Sequence, residues 1–168
     1  MKKLLGYIFI LMACLVGIYM VIFYTTPVVD NNVNNSNKIV TLTTSKTLDK
    51  IEKKEQGLYY IGFPECPWCK ELVPILVSRL PRSEKIYSLN THSKSFSKND
   101  QYRLQKIYSG YYDDNLTVPF VISINSRKET LTHVGTVPTH NAKINDLTKK
   151  EKEELMEDID ELINWTMK

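Results

Sequence analysis

Glu65-Cys66-Pro67-Trp68-Cys69-Lys70 decides how this chain is read. Ahead of it runs an apolar stretch, Leu58-Tyr59-Tyr60-Ile61-Gly62-Phe63, with the length and composition of a buried strand. Behind it, Leu72 to Leu80 has the apolar spacing of a helix. A Cys-x-x-Cys pair at a strand-to-helix junction is the pattern of a thiol–disulfide redox site. The thiolate is the nucleophile, and a free cysteine with a pKa of about 8.5 is mostly protonated near neutrality. Cys66 stands where the helix opens, and Pro67 takes the first helical position, where its missing N–H has no partner to lose. The unpaired N–H groups and the dipole at that end favour an anion, and can bring such a thiol to between ~3.5 and ~7. Attack is therefore assigned to Cys66. Cys69, one turn in and expected to be more buried and less acidic, resolves the mixed disulfide.

The neighbours of the pair carry simpler readings. Lys70 adds a weak positive potential or is a solvated helix residue, and the second role is the plainer one. Glu65 opposes a thiolate only if it lies close. Trp68, between the cysteines, is read as an apolar contact for a bound partner. A lone Cys-x-x-Cys can also be half of a zinc site, but structural zinc takes four ligands. His92, His133 and His140 show no H-x₃₋₅-H spacing, so no metal is expected, and the histidines are placed on loops and strand ends without catalytic duty.

With 168 residues, one folded domain is the natural expectation. Leu4 to Tyr24 contains no charged residue and follows Lys2 and Lys3. As a helix it would measure ~31 Å, the thickness of a bilayer core. Tyr24-Thr25-Thr26-Pro27 offers no small-residue cleavage pattern, so residues 1–26 read as an uncleaved signal anchor. A lipoprotein box at Leu11-Met12-Ala13-Cys14 is the competing reading, but the apolar run continues well past Cys14. The lysines before the anchor place the rest of the chain outside the cytoplasm, as a single-pass membrane protein.

Setting Lys2 and Lys3 aside leaves 20 basic and 19 acidic residues, a net of +1, which excludes an electrostatic footprint for nucleic acid. It also leaves Cys66 and Cys69 as the cysteines beyond the anchor, in a compartment that permits disulfides. Residues 27–38 are Asn-rich (Asp30-Asn31-Asn32-Val33-Asn34-Asn35-Ser36-Asn37) and read as a flexible tether. The domain proper is 39–168.

Within it, Val40–Thr43 is a short strand, and Thr44 or Ser45 caps a helix with Leu48 and Ile51 inside. Leu58–Phe63 is a central strand, apolar on both faces. The helix after the motif carries Trp68, Leu72, Ile75, Leu76 and Leu80 on one side, with Pro74 inside it. Ile86–Leu89 is a strand, and Ser97-Lys98-Asn99-Asp100 is a capping box opening a helix with Leu104, Ile107 and Tyr108. Phe120–Ile124 and Glu129–Val134 form a hairpin around Asn125-Ser126-Arg127-Lys128. Thr148–Glu151 caps a last helix that buries Leu155, Ile159, Leu162 and Ile163. The order β-α-β-α-β-α-β-β-α predicts an α/β fold, a mixed sheet flanked by helices, with parallel crossovers and an antiparallel edge.

These residues together resemble the thioredoxin superfamily. Cys66-Pro67-Trp68-Cys69-Lys70 followed by Pro74 resembles that family's active-site helix. Thr117-Val118-Pro119 resembles its cis-proline segment, and Val134-Gly135-Thr136 its glycine turn. The resemblance implies a thioredoxin-like fold with a peptide groove formed by Trp68, Val118, Pro119 and Gly135, and no cofactor beyond the two cysteines. Two features depart from thioredoxin itself: no acid lies near Tyr60 in the strand before the motif, and Pro67-Trp68 replaces Gly-Pro. Both touch proton transfer and redox potential, and both speak against a simple reductase role. The anchor, the tether and the hexapeptide resemble the membrane-tethered thioredoxin-like proteins of Gram-positive bacteria, some of them called bacteriocin transport accessory proteins. The implied function is an extracytoplasmic thiol–disulfide oxidoreductase acting on cysteines of secreted or surface proteins and peptides, bacteriocins among them. The alternative is a binding or accessory module that holds exported peptides without redox turnover. An intact cysteine pair favours the enzyme, since a pure binder does not need both thiols. The direction is open, because potentials on this fold run from about −270 to about −120 mV.

Overall fold

The computed structural model describes residues 38–168. The expected anchor, 1–26, and the tether up to residue 37 lie outside the described residues. Among the described residues no helix is long and apolar enough to cross a membrane.

The chain forms β1 (Ile39–Thr41), α1 (Thr44–Glu52), β2 (Gly57–Gly62), α2 (Pro67–Arg79), β3 (Ile86–Asn90), α3 (Lys98–Tyr108), β4 (Phe120–Ile124), β5 (Thr130–Val134) and α4 (Lys149–Thr166). The expected element order holds throughout. The sheet order is β1-β3-β2-β4-β5. β1, β3 and β2 run parallel; β4 is antiparallel to β2, and β5 to β4, so the hairpin supplies the antiparallel edge.

Local chemistry explains most boundaries. Ser97 and Asp100 cap α3 reciprocally, and Thr148 and Glu151 do the same for α4. At α1 the cap is Thr43, not Thr44 or Ser45: Thr43 Oγ1 accepts the Lys46 N–H at 3.4 Å, while Thr44 is buried. β1 accordingly stops at Thr41. α2 opens at Pro67, before the apolar run at Leu72, because Cys66 itself serves as its cap.

β2 is central and covered on both sides, and its alternation sorts the core. Leu58 faces α2 and α4 with Leu72, Leu76, Leu155 and Ile159. Tyr59 and Ile61 face α1 and α3 with Leu48, Leu104 and Tyr108. β4 alternates likewise, Val121 joining the first core and Phe120, Ile122 and Ile124 the second. Ser123, also on the α4 side, is buried and hydrogen-bonded: its hydroxyl lies 2.7 Å from the Leu162 carbonyl and 2.6 Å from Thr166 Oγ1. This tie fixes the end of α4 on the sheet.

Leu155 is fully buried between α4 and the sheet. Leu155→Ala is expected to cost about 2–5 kcal/mol through lost transfer energy and a cavity. Thr148→Ala, which removes a cap hydroxyl, is expected to cost about 1 kcal/mol. Urea unfolding of both variants checks the ranking.

Candidate active site

β2 ends at Gly62, and the chain turns through Phe63, Pro64 and Glu65 to reach the cap of α2. The turn is closed by the Cys66 N–H donating to the Phe63 carbonyl at 3.2 Å. Cys66 holds extended backbone angles, φ −64° and ψ 121°, as an N-cap requires. Its sulfur accepts the Cys69 N–H at 3.3 Å, the bond that a serine or aspartate makes at most helix starts. The Lys70 N–H then donates to the Cys66 carbonyl at 3.1 Å, the first bond of the helix proper. Both thiols are free and buried, at 3 % and 2 % exposure.

Across from them, Val118 brings its carbonyl to 3.8 Å from Cys66 Sγ. The Val118–Pro119 bond is cis, as the sequence led one to expect. Gly135 has φ +77°, a left-handed conformation suited to glycine, and its N–H donates to the Pro119 carbonyl at 2.8 Å. Cys66, Val118, Pro119 and Gly135 thus form one connected corner at the start of β4 and the end of β5. Trp68 belongs to a different contact. Its indole N–H donates to the His140 carbonyl at 3.4 Å, and the Lys143 ammonium sits 5.7 Å from its ring centre. Trp68 is half-buried against the loop of residues 135–147.

The two cysteines occupy unlike electrostatic surroundings. Burial pushes the Cys69 thiol up to about 11, and its hydrogen bonding to Cys66 adds to that. Tyr60 and the Phe63 backbone pull in the opposite direction. Lys70 and Glu65 are exposed, in line with their plainer readings. A cavity of about 390 Å³ opens beside Cys69, lined mainly by apolar groups of Tyr60, Phe63, Val73 and Pro74, with Lys70 and Asn90 at its polar edge.

His92 and His140 lie on loops and His133 one residue before the end of β5, as expected. His140 lies on a loop, but its side chain is fully buried, with Nε2 2.7 Å from Glu71 Oε2 and Nδ1 3.7 Å from Glu151 Oε1. The other Glu71 oxygen accepts the Leu147 N–H at 3.1 Å. The His140 imidazole and the Glu71 carboxylate therefore fasten the 135–147 loop to α2, with Glu151 at the start of α4 close to the same imidazole. His133 lies within β5 opposite Val121; burial lowers its pKa, and its Nδ1 is 3.6 Å from Asp158. His92 stacks on Phe63 with ring centres 3.6 Å apart. Among the described residues, no group of three or more His, Cys, Asp and Glu side chains is placed to hold a metal ion. Sequence reasoning missed Tyr60, Glu71 and His140 as parts of the site. Glu71 and His140 are 69 positions apart, and no local spacing announces the pair.

A mixed sheet in the order β1-β3-β2-β4-β5, a cysteine pair opening a helix, and a cis-proline facing it belong together. The fold is a thioredoxin-like α/β fold. No protein-family model and no curated protein matches the chain.

Glu71→Ala removes the acceptor for Leu147 and leaves His140 facing an empty position. The expected cost is about 1–3 kcal/mol. Hydrogen exchange is expected to speed up at the Leu147 amide while the amides of β2 and β4 keep their protection.

Proposed function

We propose that this chain is a thiol–disulfide oxidoreductase that works through Cys66 and Cys69. The observation that carries the reading is the Cys66 sulfur at the cap of α2, accepting the Cys69 N–H at 3.3 Å and facing the Val118 carbonyl at 3.8 Å. A helix start stabilises a sulfur anion through its free N–H groups and its dipole. The second thiol sits one turn away, where it can attack the first. Cys66 attacks a substrate disulfide and releases one substrate thiolate. Cys69 then attacks Cys66, forming the Cys66–Cys69 bond and releasing the second substrate thiolate. Run backwards, the same steps place a disulfide in a substrate.

Substrate contact falls to the corner of Val118, Pro119 and Gly135, together with Trp68. The Val118 carbonyl, 3.8 Å from Cys66 Sγ, lies where a polypeptide reaching the cysteine would pass, which supports cysteine-containing proteins or peptides as substrates. The uncharged run from Leu4 to Tyr24, with lysines ahead of it, supports a membrane anchor and an outward-facing domain. Secreted or surface polypeptides, disulfide-bearing bacteriocins included, are the partners this placement implies. Oxidation or isomerisation fits the outward placement better than reduction, which would need electrons carried across the membrane.

Cys69→Ser is expected to accumulate mixed disulfides through Cys66, seen as thiol-sensitive high-mass bands, while Cys66→Ser yields none. Trapping through Cys69 would reverse the roles, and no trapping in either variant would favour a binding module. Equilibration of the pair in glutathione buffers then gives the direction. A potential near −270 mV implies reduction, and one near −120 mV implies disulfide formation (both about). Full-length chain is expected in membrane fractions; a shortened soluble form starting near Thr26 would remove the anchor.

A further inference from the structure

Tyr60 lies in the middle of β2, level with Ser88 of β3 and Val121 of β4. Tyr59 and Ile61 turn to the α1/α3 core, whereas Tyr60 packs on the side of α2. Gly62, two residues on, shares that side by the period of a strand. A side chain at Gly62 would find no room. Its Cβ would overlap Tyr60 Oη and stand 2.8 Å from Cys69 Sγ. The phenol hydroxyl and the buried sulfur therefore converge on the space that the glycine leaves.

Cys69 needs such a neighbour. To resolve a mixed disulfide it must lose a proton inside the core, yet burial pushes its pKa up to about 11. The groups that face it are Cys66 from the cap of α2, Tyr60 from β2 and the Phe63 backbone. The cavity edge adds the Lys70 ammonium, also from α2, and the Asn90 amide from β3. No carboxylate and no imidazole is among them. Burial, then the cysteines, raises the pKa of the phenol. It stays an O–H group, able to donate to a sulfur anion but not to take a proton from a thiol.

We propose that the Tyr60 hydroxyl donates a hydrogen bond to Cys69 Sγ and holds it as the thiolate during exchange, while the adjoining cavity lets the displaced proton reach water. This rests on the redox reading above. In the step concerned, the Cys69 thiolate attacks Cys66 Sγ, the bond between Cys66 and the substrate sulfur breaks, and the substrate leaves as a thiolate. The Cys69 proton has gone to cavity water, and the departing thiolate takes one from solvent. Forming the new disulfide oxidises Cys66 and Cys69 by two electrons, and the two substrate sulfurs gain them. In reverse, the same hydrogen bond makes Cys69 the better leaving group.

The test uses Tyr60→Phe in the full chain carrying Cys14→Ser, so that only the pair reacts, with 5,5′-dithiobis(2-nitrobenzoate) as the probe. Attack by Cys66 releases one equivalent of thionitrobenzoate, and attack by Cys69 on the adduct releases the second. The first phase is expected to keep its rate. The inflection of the second phase is expected to move up by about one pH unit. Below the inflection the variant has about tenfold less thiolate. Each thiolate is about threefold more nucleophilic for a Brønsted slope of ~0.4–0.5, so the second phase slows only about threefold. Gly62→Ala, which keeps the hydroxyl but drives it off the sulfur, is expected to shift the inflection the same way. Superimposable profiles would overturn the proposal. Uniform slowing without a shift would also overturn it, leaving Tyr60 a packing residue. A wild-type chain that never releases the second equivalent would overturn the redox reading itself, and this inference with it.

Discussion

A sulfur atom closes the first turn of α2, and the geometry of the whole redox corner follows from that hydrogen bond. An N-cap is a position with little freedom: its backbone is extended, its side chain points back over the turn, and its acceptor meets the amide three residues on. Cys66 fills it, so the nucleophile is fixed by the same rules that start the helix. The helix is fixed in turn by Leu72, Ile75 and Leu76 against the sheet. Cys66 is therefore positioned by the core, even though the segment that leads into it, Phe63 to Glu65, has no regular structure.

The sheet adds a second constraint. β2 lies between a parallel and an antiparallel neighbour, and its last residue, Gly62, comes level with Asn90 of β3. β4 enters from the opposite direction, so the start of β4 lies beside the end of β2. That reversal brings Val118 and Pro119 to the cysteines. Had β4 run parallel to β2, its first residues would stand at the far end of the sheet. Polar groups complete the frame at a few buried points. Ser123 with Thr166 fastens the end of α4, and Glu71 with His140 fastens the loop before α4 begins. Ser123 and Thr166 pair with each other inside the fold, and His140 Nε2 pairs with Glu71, which lowers the desolvation penalty of burying these atoms.

How much of this could be read from the residues alone depends on how local each determinant is. The capping boxes at Ser97 and Thr148, the Cys66-Pro67 helix start and the alternation of β4 are set by neighbours within four positions, and each is visible in the sequence. The residues point to Thr44 or Ser45 as the cap of α1, and finding it at Thr43 requires knowing that Thr44 is turned inward by the core. Tyr60 reads as one more apolar residue of a buried strand, because its role arises from Cys69 on another element and from the absent side chain of Gly62. Glu71 and His140 look like a solvated helix residue and a loop residue until the fold joins them. Trp68, read from the sequence as a contact for a bound partner, donates to His140 within the chain, a hydrogen bond set by the path of a loop 72 positions away.

Lys38, where the described chain begins, donates through its ammonium to the carbonyls of Val77 and Leu80 at the last turn of α2. α2 has 13 residues, so at ~1.5 Å per residue that anchorage lies roughly 20 Å along the helix axis from Cys66. The entry point of the domain and its reactive mouth are thus at opposite ends of one rigid rod. Any force or constraint applied through the chain ahead of Lys38 is received at the back of the molecule. A polypeptide arriving at the cysteines meets the other end of that helix.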